Sequence, residues 1–416
     1  MSKTLLHEIF NDDFSHVADS ADFHARFFAS ALTLPDLAKV SAAVSAQKIT
    51  LGGKTIPAAV LIPGKRPGAP FAILAQLHGN EPAGLAGILL AMALSEAGKL
   101  ERDCLAVIGN PLAAKQYFES LRLAPQARQE MRDAYRCGLS DTGQLLPDMN
   151  RIPVDFMTCP ATDHHTRRAQ ELFTIGSHIS GILDIHSARG NMLCITDHKH
   201  DSELKNSPIR AVLLGLADAI SANASATVTV QTLKTILHPL PNIKSQVGIE
   251  AGRHEDPQAP FNAASFTLSL LNTLGITQVA PLFTQENGIF NAYNVRPRIT
   301  YADLDHADTL LPEDQIYMVK SSTTPGDTPC PGAPEFALHQ YDEMEPIGAG
   351  QIVAVAIPSR TVFRTKSAFS GIFVSKSGAL YDKDPSVGPW PVAGANIGNV
   401  KFCYPCDVSE ITIEFP

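Results

Sequence analysis

The sequence predicts an α/β protein, in which a mixed and mostly parallel sheet is flanked by helices and followed by a smaller β-rich domain. Between about residues 70 and 275, short apolar runs of strand type alternate with longer helical stretches, as they do in parallel sheets. After about residue 285, helical periodicity fades and short β-type runs alternate with Pro and Gly turns. A chain of 416 residues is too long for one ordinary core, and we place two domains at 1–285 and 286–416.

The elements of the first domain follow in chain order. Residues 1–45 are predicted to form a helical lead-in, with an apolar stripe at helical spacing over 23–32. A β-hairpin is predicted over 48–62, around the turn at Gly52 and Gly53. The remaining elements are four buried strands at 71–77, 104–108, 181–185 and 246–249, and four helices at 82–94, 161–178, 209–220 and 263–274.

The composition limits the partners of the chain. Asp and Glu number 42 against 33 Lys and Arg, a net charge of −9, so binding to nucleic acid through bulk charge is not expected. No apolar run reaches the ~18 residues of a membrane span, and no signal peptide is expected at the N-terminus. The seven scattered cysteines are therefore expected to be reduced thiols in a cytoplasmic protein.

Three side chains near predicted strand ends are candidate metal ligands. The segment FAILAQLHGNEPAG places His78 after a buried strand and Glu81 at the start of the next helix, at the sheet edge where α/β proteins bind ligands. Imidazole and carboxylate are zinc ligands, and a catalytic zinc takes three protein ligands and a water. The segment GILDIHSARGNM supplies the third ligand, His186, with Asp184 two residues earlier on the same strand face to orient it.

Each of these signals has a structural alternative. An isolated H-x-x-E is also typical of a surface loop, and His186 alone is equally compatible with a hydrogen-bonded core histidine. His198 and His200 are rival ligands, although no predicted strand orients them. His164 and His165 are expected on an exposed helix start.

Two further segments indicate catalysis and substrate binding. QVGIEAG places Glu250 at the end of a third apolar strand, where a carboxylate could take a proton from an activated water. The alternative for Glu250 is an exposed loop carboxylate. In LLPDMNRIP, the amide of Asn150 and the guanidinium of Arg151 suit recognition of a substrate carboxylate, although Asn-Arg is also common in loops.

Taken in order, these segments resemble the succinylglutamate desuccinylase/aspartoacylase family of the zinc carboxypeptidase superfamily. Four ordered elements carry the resemblance: HGNEPAG at 78–84, GNP at 109–111 with DMNR at 148–151, DIHSARGNMLC at 184–194, and VGIEAG at 247–252. A weaker similarity continues in YDEMEPIGAGQ at 341–351 and GIFVSKSGALYDKD at 371–384. Four motifs in order are more specific than any one of them.

The resemblance implies a zinc-carboxypeptidase-like fold and a reaction. His78, Glu81 and His186 would bind one Zn²⁺ per chain. Glu250 would act as general base and then as general acid. The reaction would be hydrolysis of the amide bond of an N-acyl amino acid, so the partner would be a small molecule that carries a carboxylate.

The resemblance also implies residues that bind the substrate. Asn150 and Arg151 would hold a carboxylate, and Tyr381 would reach the mouth of the site from the β-rich domain. The segment SARG after His186 differs from the usual aspartoacylase sequence, and its Arg189 could touch an anionic substrate. The acyl group and the amine therefore stay unspecified.

An arginine that stabilises the oxyanion is implied between the N-P and D-x-N-R elements. That interval is lengthened here to residues 115–147, and we assign the role to Arg136. Three other arginines compete for it: Arg122, Arg128 and Arg132. The arginine that aspartoacylases carry shortly before the base is missing, and Lys244 could replace it only if its loop bends favourably.

Two other functions stay open at this point. The same ligands would serve a metallocarboxypeptidase acting on short peptides, with Asn150 and Arg151 on the terminal carboxylate. A non-catalytic zinc- or ligand-binding protein is the other, although such a protein has no use for a base like Glu250. The sequence leaves open whether the chain forms a homo-oligomer.

The lone C-x-x-C at 403–406 is not predicted to bind zinc or to act in redox chemistry.

Overall fold

A computed structural model describes most of the first domain and parts of the second. The described residues are 2–123, 132–149, 160–188, 193–196, 227–230, 246–254, 256–282, 288–295, 299–306, 311, 315–321, 336–338, 346–357, 359–372 and 401–413. The chain divides into two compact units, of which the first comprises Met1–Ala292 with Glu410–Pro416 and the second Tyr293–Ser409. The first unit thus ends at Ala292, whereas the sequence analysis places the boundary after residue 285. The assignment of catalysis to the first domain, and the division of the chain into a catalytic and a β-rich domain, stay predictions.

The N-terminal lead-in consists of three helices. They are α1 (Ser2–Phe10), α2 (Ser20–Phe27) and α3 (Leu34–Ser45). The Asp19 side chain caps α2, and Thr33 begins α3 with a capping box formed with Asp36. The rings of Phe23 and Phe27 stack with their centroids 5.8 Å apart and are buried. The lead-in therefore contributes aromatic side chains to the core of the first unit.

A left-handed residue divides the predicted hairpin into separate strands. Strands β1 (Lys48–Leu51) and β2 (Lys54–Pro57) pair antiparallel around the predicted turn. Ala58 then has a φ of +53°, which interrupts the extended backbone. Strand β3 (Ala59–Ile62) leaves the hairpin and joins the central sheet, so the expectation of one hairpin over 48–62 is wrong in its second strand.

The central sheet is mixed and mostly parallel. Its other strands are β4 (Arg66–Ala75), β5 (Arg102–Ile108), β6 (Gly181–Ala188), β7 (Leu193–Thr196), β8 (Thr227–Val230) and β9 (Gln246–Arg253). In the first unit the order is β8-β7-β9-β6-β4-β5-β3. The pairs β4/β5, β4/β6, β6/β9 and β7/β8 are parallel, whereas β3/β5 and β7/β9 are antiparallel. The predicted fold class is confirmed.

Five more helices are described in the first unit. They are α4 (Gly84–Glu96), α5 (Pro111–Ser120), α6 (Arg132–Cys137), α7 (His164–Gly176) and α8 (Gln258–Thr273). Helix α4 is apolar on all sides because it packs between strand β4, helix α8 and the lead-in helices α1 and α3. It begins at Gly84, so Pro82 precedes the helix and is not part of its first turn. The predicted helix at 209–220 lies outside the described residues.

The second unit is β-rich in its described part. Its strands are β10 (Gly288–Val295), β11 (Ile299–Thr300), β12 (Gln315–Ser321), β13 (Phe336–Leu338), β14 (Pro346–Ile347), β15 (Ile352–Ile357), β16 (Val362–Arg364), β17 (Phe369–Ile372) and β18 (Lys401–Ile413), of which β10 and β18 span the unit boundary. Strands β13-β12-β15-β16 form an antiparallel group, and β14-β17-β18 form a second. Tyr301, Phe363 and Phe402 are buried in its core.

Strand β18 contains both cysteines of the C-x-x-C segment. Cys403 is buried, whereas the side chain of Cys406 lies outside the described residues. The expectation that the C-x-x-C segment neither binds zinc nor acts in redox chemistry stays a prediction. Within the ranges given above, no helix combines the length and the apolarity needed to cross a bilayer.

The loop after β4 requires glycine at position 79. A Cβ on Gly79 would overlap the backbone of Ala113 and lie 2.5 Å from the carbonyl oxygen of Tyr135. We expect Gly79→Ala to lower the free energy of unfolding by about 1–3 kcal/mol, because backbone atoms have to move apart. Gly68→Ala is the control, since a Cβ there meets nothing within 4 Å and should change stability by less than about 0.5 kcal/mol. Chemical denaturation measures both, and equal stability of the two variants would contradict the packing described.

Candidate metal centre

His78 and Glu81 lie on the short loop between β4 and α4. The chain leaves the sheet at Gln76, whose φ of +52° turns the backbone away from the strand direction. The N–H of Gly79 donates to the carbonyl oxygen of Arg136 at 3.0 Å, and the N–H of Glu81 donates to that of His78 at 3.1 Å. The His78 and Glu81 side chains are both 3% exposed. The loop thus presents both side chains inward, at the carboxyl edge of the parallel strands.

His186 and Glu250 occupy neighbouring strands of the same sheet. Both lie within strands, since β6 continues to Ala188 and β9 to Arg253, whereas the sequence predicts each strand to end just before its functional residue. The strands are longer because the parallel pairing of β6 with β9 continues past His186 and Glu250, with Ala188 opposite Arg253. His186 is the direct partner of Glu250 in the parallel register, so the two side chains stand side by side on one face.

The predicted ligands come together in one buried cluster. Glu81 Oε1 lies 2.9 Å from His78 Nδ1, and Glu81 Oε2 lies 2.7 Å from His186 Nδ1. The two imidazole rings have centroids 5.1 Å apart. One ligand atom from each of the three side chains lies within 4.8 Å of the others, so the cluster could hold a metal ion. Two imidazoles and a carboxylate are the protein ligands of many catalytic zinc sites.

An aspartate lies behind each imidazole. Asp148 Oδ1 is 3.0 Å from His78 Nε2, and Asp184 Oδ2 is 3.2 Å from His186 Nε2. A carboxylate beside Nε2 favours the tautomer with its proton on that nitrogen, which leaves the Nδ1 lone pair for a metal. Asp184 is predicted in this role from the sequence, whereas Asp148 is not, although Asp148 opens the DMNR segment and a metal-bound histidine commonly has such a partner.

The protonation of the cluster fits a site for a cation. Burial alone would raise the pKa of Glu81, but the charges and hydrogen bonds of His78 and His186 lower that pKa well below its usual value. Burial alone would lower the pKa of His186, but Asp184 and Glu81 raise it well above its usual value. The buried carboxylates thus stabilise a positive charge within the cluster. A divalent cation would provide that charge and would use both Nδ1 atoms as ligands.

Asp184 gives a second indication that the cluster fits a metal. Its side chain is buried, and neither of its oxygens has a well-aligned hydrogen-bond partner within the described ranges. A buried carboxylate whose contacts are poorly aligned is costly unless neighbouring positive charge compensates it. A cation held by His186, against which Asp184 lies, provides such compensation.

Among the arginines of the lengthened interval at 115–147, Arg136 is the one whose described side chain reaches the cluster. Its Nη1 lies 3.5 Å from Glu81 Oε1, and its Nη2 lies 3.3 Å from Asp148 Oδ2. The side chain is 30% exposed, so it is partly accessible to solvent. Of its competitors, Arg122 is exposed, whereas Arg128 and the side chain of Arg132 lie outside the described residues. A role for Arg136 on the oxyanion stays a prediction.

Ser187 and His254 form a neighbouring contact that the sequence analysis does not single out. Ser187 Oγ lies 2.9 Å from His254 Nδ1, and the Ser187 N–H points to Glu81 Oε2 at 3.4 Å. Ser187 directly follows His186, so this contact helps to fix the end of β6. Ser187 lies in the DIHSARGNMLC element without a predicted role, and His254 lies outside all four elements, which is why the sequence gives no signal for their contact.

Several predicted residues fall outside the described structure, and one expectation is wrong. The predicted residues and rivals that lie outside it are Asn150, Arg151, Arg189, Tyr381, His198, His200 and Lys244. His165 is 2% exposed, so its expected place on an exposed helix start is wrong. The first turn of α7 is covered because His165 faces the backbone of Cys137 at the end of α6. Burial lowers the pKa of His165 to about 4, so it is a neutral core histidine at pH 7.

No protein-family model and no curated protein matches this chain. Solved structures are similar to it. Murine aminoacylase 3 is 15% identical, with 84% of this chain and 99% of that chain covered and a TM-score of 0.47. A succinylglutamate desuccinylase/aspartoacylase from Rhodobacter sphaeroides is 13% identical, with 86% and 90% covered and a TM-score of 0.47. A product-bound ectoine utilization protein from Ruegeria pomeroyi is 12% identical, with 85% and 89% covered and a TM-score of 0.49. At these identities the likeness is one of fold.

Proposed function

We propose that this chain is a zinc-dependent hydrolase that cleaves the amide bond of an N-acyl amino acid, as the succinylglutamate desuccinylase/aspartoacylase family does. The observation that carries the proposal is the buried cluster of His78, Glu81 and His186 with Glu250 beside it. Three ligands alone would suit a binding protein. A carboxylate placed next to them in the sheet register adds the base that hydrolysis needs.

The donor set favours zinc over other common divalent ions. Mg²⁺ and Ca²⁺ prefer oxygen ligands. This site instead offers two nitrogen ligands, the Nδ1 atoms of His78 and His186, together with one carboxylate, that of Glu81. When bound, zinc would supply Lewis-acid polarisation of the amide carbonyl and would make a water nucleophilic near neutral pH. Asp148 and Asp184 would keep the two imidazoles in the orientation and tautomer that the metal requires.

Glu250 moves the protons of the reaction in this proposal. Its carboxylate takes a proton from the water as the water oxygen bonds to the amide carbon. It then gives that proton to the leaving nitrogen as the C–N bond breaks, which yields a carboxylate and a free amine. Burial of Glu250, which is 8% exposed, keeps bulk water from competing for the transferred proton. Arg136, already drawn toward the cluster by Glu81 and Asp148, would stabilise the oxyanion.

The substrate side of the proposal rests on residues that the structure does not describe. Asn150 and Arg151 would hold the carboxylate of the substrate, with Arg189 and Tyr381 at the mouth of the site. A cytoplasmic location also stays a prediction. Cys104 is consistent with reduced thiols, because its side chain is buried and burial raises its pKa to about 12, which makes it unreactive.

A hydrolysis screen tests the function directly. The purified zinc-loaded chain is offered a panel of N-acyl amino acids and, separately, a panel of dipeptides and tripeptides, with release of free amine as the readout. We expect turnover of N-acyl amino acids in preference to peptides. Preferential release of C-terminal residues from peptides would establish a carboxypeptidase instead. Zinc binding without hydrolysis of either panel would establish a binding protein.

Replacing Glu250 by Gln separates catalysis from metal binding. We expect Glu250→Gln to keep its zinc content while its kcat falls by about 10²–10⁴-fold, because the amide cannot carry the proton. Zinc content is measured by elemental analysis, and kcat by amine release. Glu119→Gln, the same change at a site on α5, is the control and should leave kcat unchanged. Full turnover by Glu250→Gln would contradict the role given to this carboxylate.

Metal addition and removal test the ligand set. A ligand that binds only the folded state raises its melting temperature, so zinc added to the chelator-stripped chain should raise Tm. We expect His78→Ala to lose both stoichiometric zinc and this rise in Tm. The control is His7→Ala, since His7 is exposed on α1 and far along the chain from the loop. A zinc-dependent rise in Tm that persists in His78→Ala would mean that the ion binds elsewhere.

A further inference from the structure

Gln76 holds a backbone conformation that is unusual for a glutamine. It is the first residue after β4, it is fully buried, and its φ of +52° lies in the left-handed region. Residues with a Cβ adopt this region at a cost that glycine does not bear. A glutamine at this position therefore carries a conformational cost, directly before the loop that holds His78 and Glu81.

The side chain of Gln76 makes two buried hydrogen bonds across that loop. Its Nε2 donates to the carbonyl oxygen of Gly79 at 3.0 Å, so the bond links the two ends of the segment that contains His78. Its Oε1 accepts from Ser41 Oγ of helix α3 at 2.7 Å. Both bonds are shielded from water, and breaking either would leave a buried polar group unsatisfied. The amide therefore ties the loop to itself and to the N-terminal helices.

The backbone of Gln76 is fixed by a second set of bonds. Its carbonyl oxygen accepts from the N–H of Asn110 at 2.8 Å. The side chain of Asn110 donates in turn to the carbonyl oxygen of Cys137 at 2.9 Å and caps α5 through Ala113. Cys137 follows Arg136, which reaches the cluster. Gln76 thus lies where the β4–α4 loop, the start of α5 and the end of α6 meet.

We propose that Gln76 is a positioning residue of the metal centre. Its amide clamps the β4–α4 loop in the turn that brings His78 and Glu81 to His186, and Ser41 anchors the clamp to helix α3. The inference rests on the zinc site of the proposed function. Ligands that are held in place before the metal arrives lose less conformational freedom on binding, so the clamp raises the affinity for zinc.

Gln76→Gly is the test variant, because glycine keeps the left-handed backbone and removes both side-chain bonds. Zinc affinity is measured by competition with a chelator of known affinity. We expect the dissociation constant for zinc to rise about 10- to 100-fold, as it does when other partners of metal ligands are removed. The kcat should fall with it and KM should change little, because Gln76 does not reach the substrate.

Two further variants make the test specific. Asn11→Gly is the matched control: Asn11 also has a left-handed φ, of +51°, but lies in the turn after α1 and should leave zinc affinity unchanged. Ser41→Ala removes only the anchor and should weaken zinc binding by a smaller factor than Gln76→Gly. If Gln76→Gly does not fold, Ser41→Ala carries the test, because it leaves the backbone and the Gly79 bond in place.

The outcomes separate this inference from the proposed function. Zinc affinities of Gln76→Gly and Ser41→Ala equal to that of the unmodified chain would overturn the clamp and leave the hydrolase proposal standing. An equal loss of affinity in Asn11→Gly would overturn it too, because the effect would then be a general response to glycine. Zinc binding by the unmodified chain without hydrolysis of any amide would contradict the hydrolase, whereas the clamp would still be judged by zinc affinity.

Discussion

The site depends on keeping several carboxylates buried beside one another. Glu81 lies at the centre, with each of its oxygens against one imidazole Nδ1, while Asp148 and Asp184 lie behind the two rings and Glu250 stands in the adjacent strand. Burying a carboxylate costs several kcal/mol unless positive charge compensates it. The guanidinium of Arg136 supplies such charge beside the described cluster, and a divalent cation bound by the two Nδ1 atoms would supply more of it.

The fold serves this arrangement by bringing three distant segments to one edge of a sheet. The β4–α4 loop supplies two ligands, β6 supplies the third, and the parallel register of β6 with β9 sets His186 beside Glu250. The loop reaches the site only because Gly79 passes close to the backbone of α5 and α6 and because Gln76 turns the chain. Sheet register therefore fixes the base relative to one ligand, and loop geometry fixes the other two.

Much of this could be predicted from the sequence, for a physical reason. Alternating apolar runs identify strands and helices, and polar side chains that follow apolar runs fall at the edge of the sheet, which located the ligands and Glu250. The two strands were predicted to end too early because the pairing of β6 with β9 beyond His186 and Glu250 is not visible in either apolar run. Asp148 was not predicted because it lies in a loop without periodicity. Gln76 was not predicted because no sequence pattern indicates that a glutamine adopts a left-handed backbone conformation. The burial of His165 depends on α6, a segment remote in sequence.

The central claim is that two imidazole nitrogens and one carboxylate oxygen share a single ion. A crystal structure of the zinc-loaded chain, with anomalous scattering recorded on both sides of the zinc absorption edge, tests it most directly. The account predicts one strong anomalous peak at about 2.0–2.2 Å from Nδ1 of His78, Nδ1 of His186 and a carboxylate oxygen of Glu81. A map with no peak between these side chains, or with the zinc held by other residues, would contradict it.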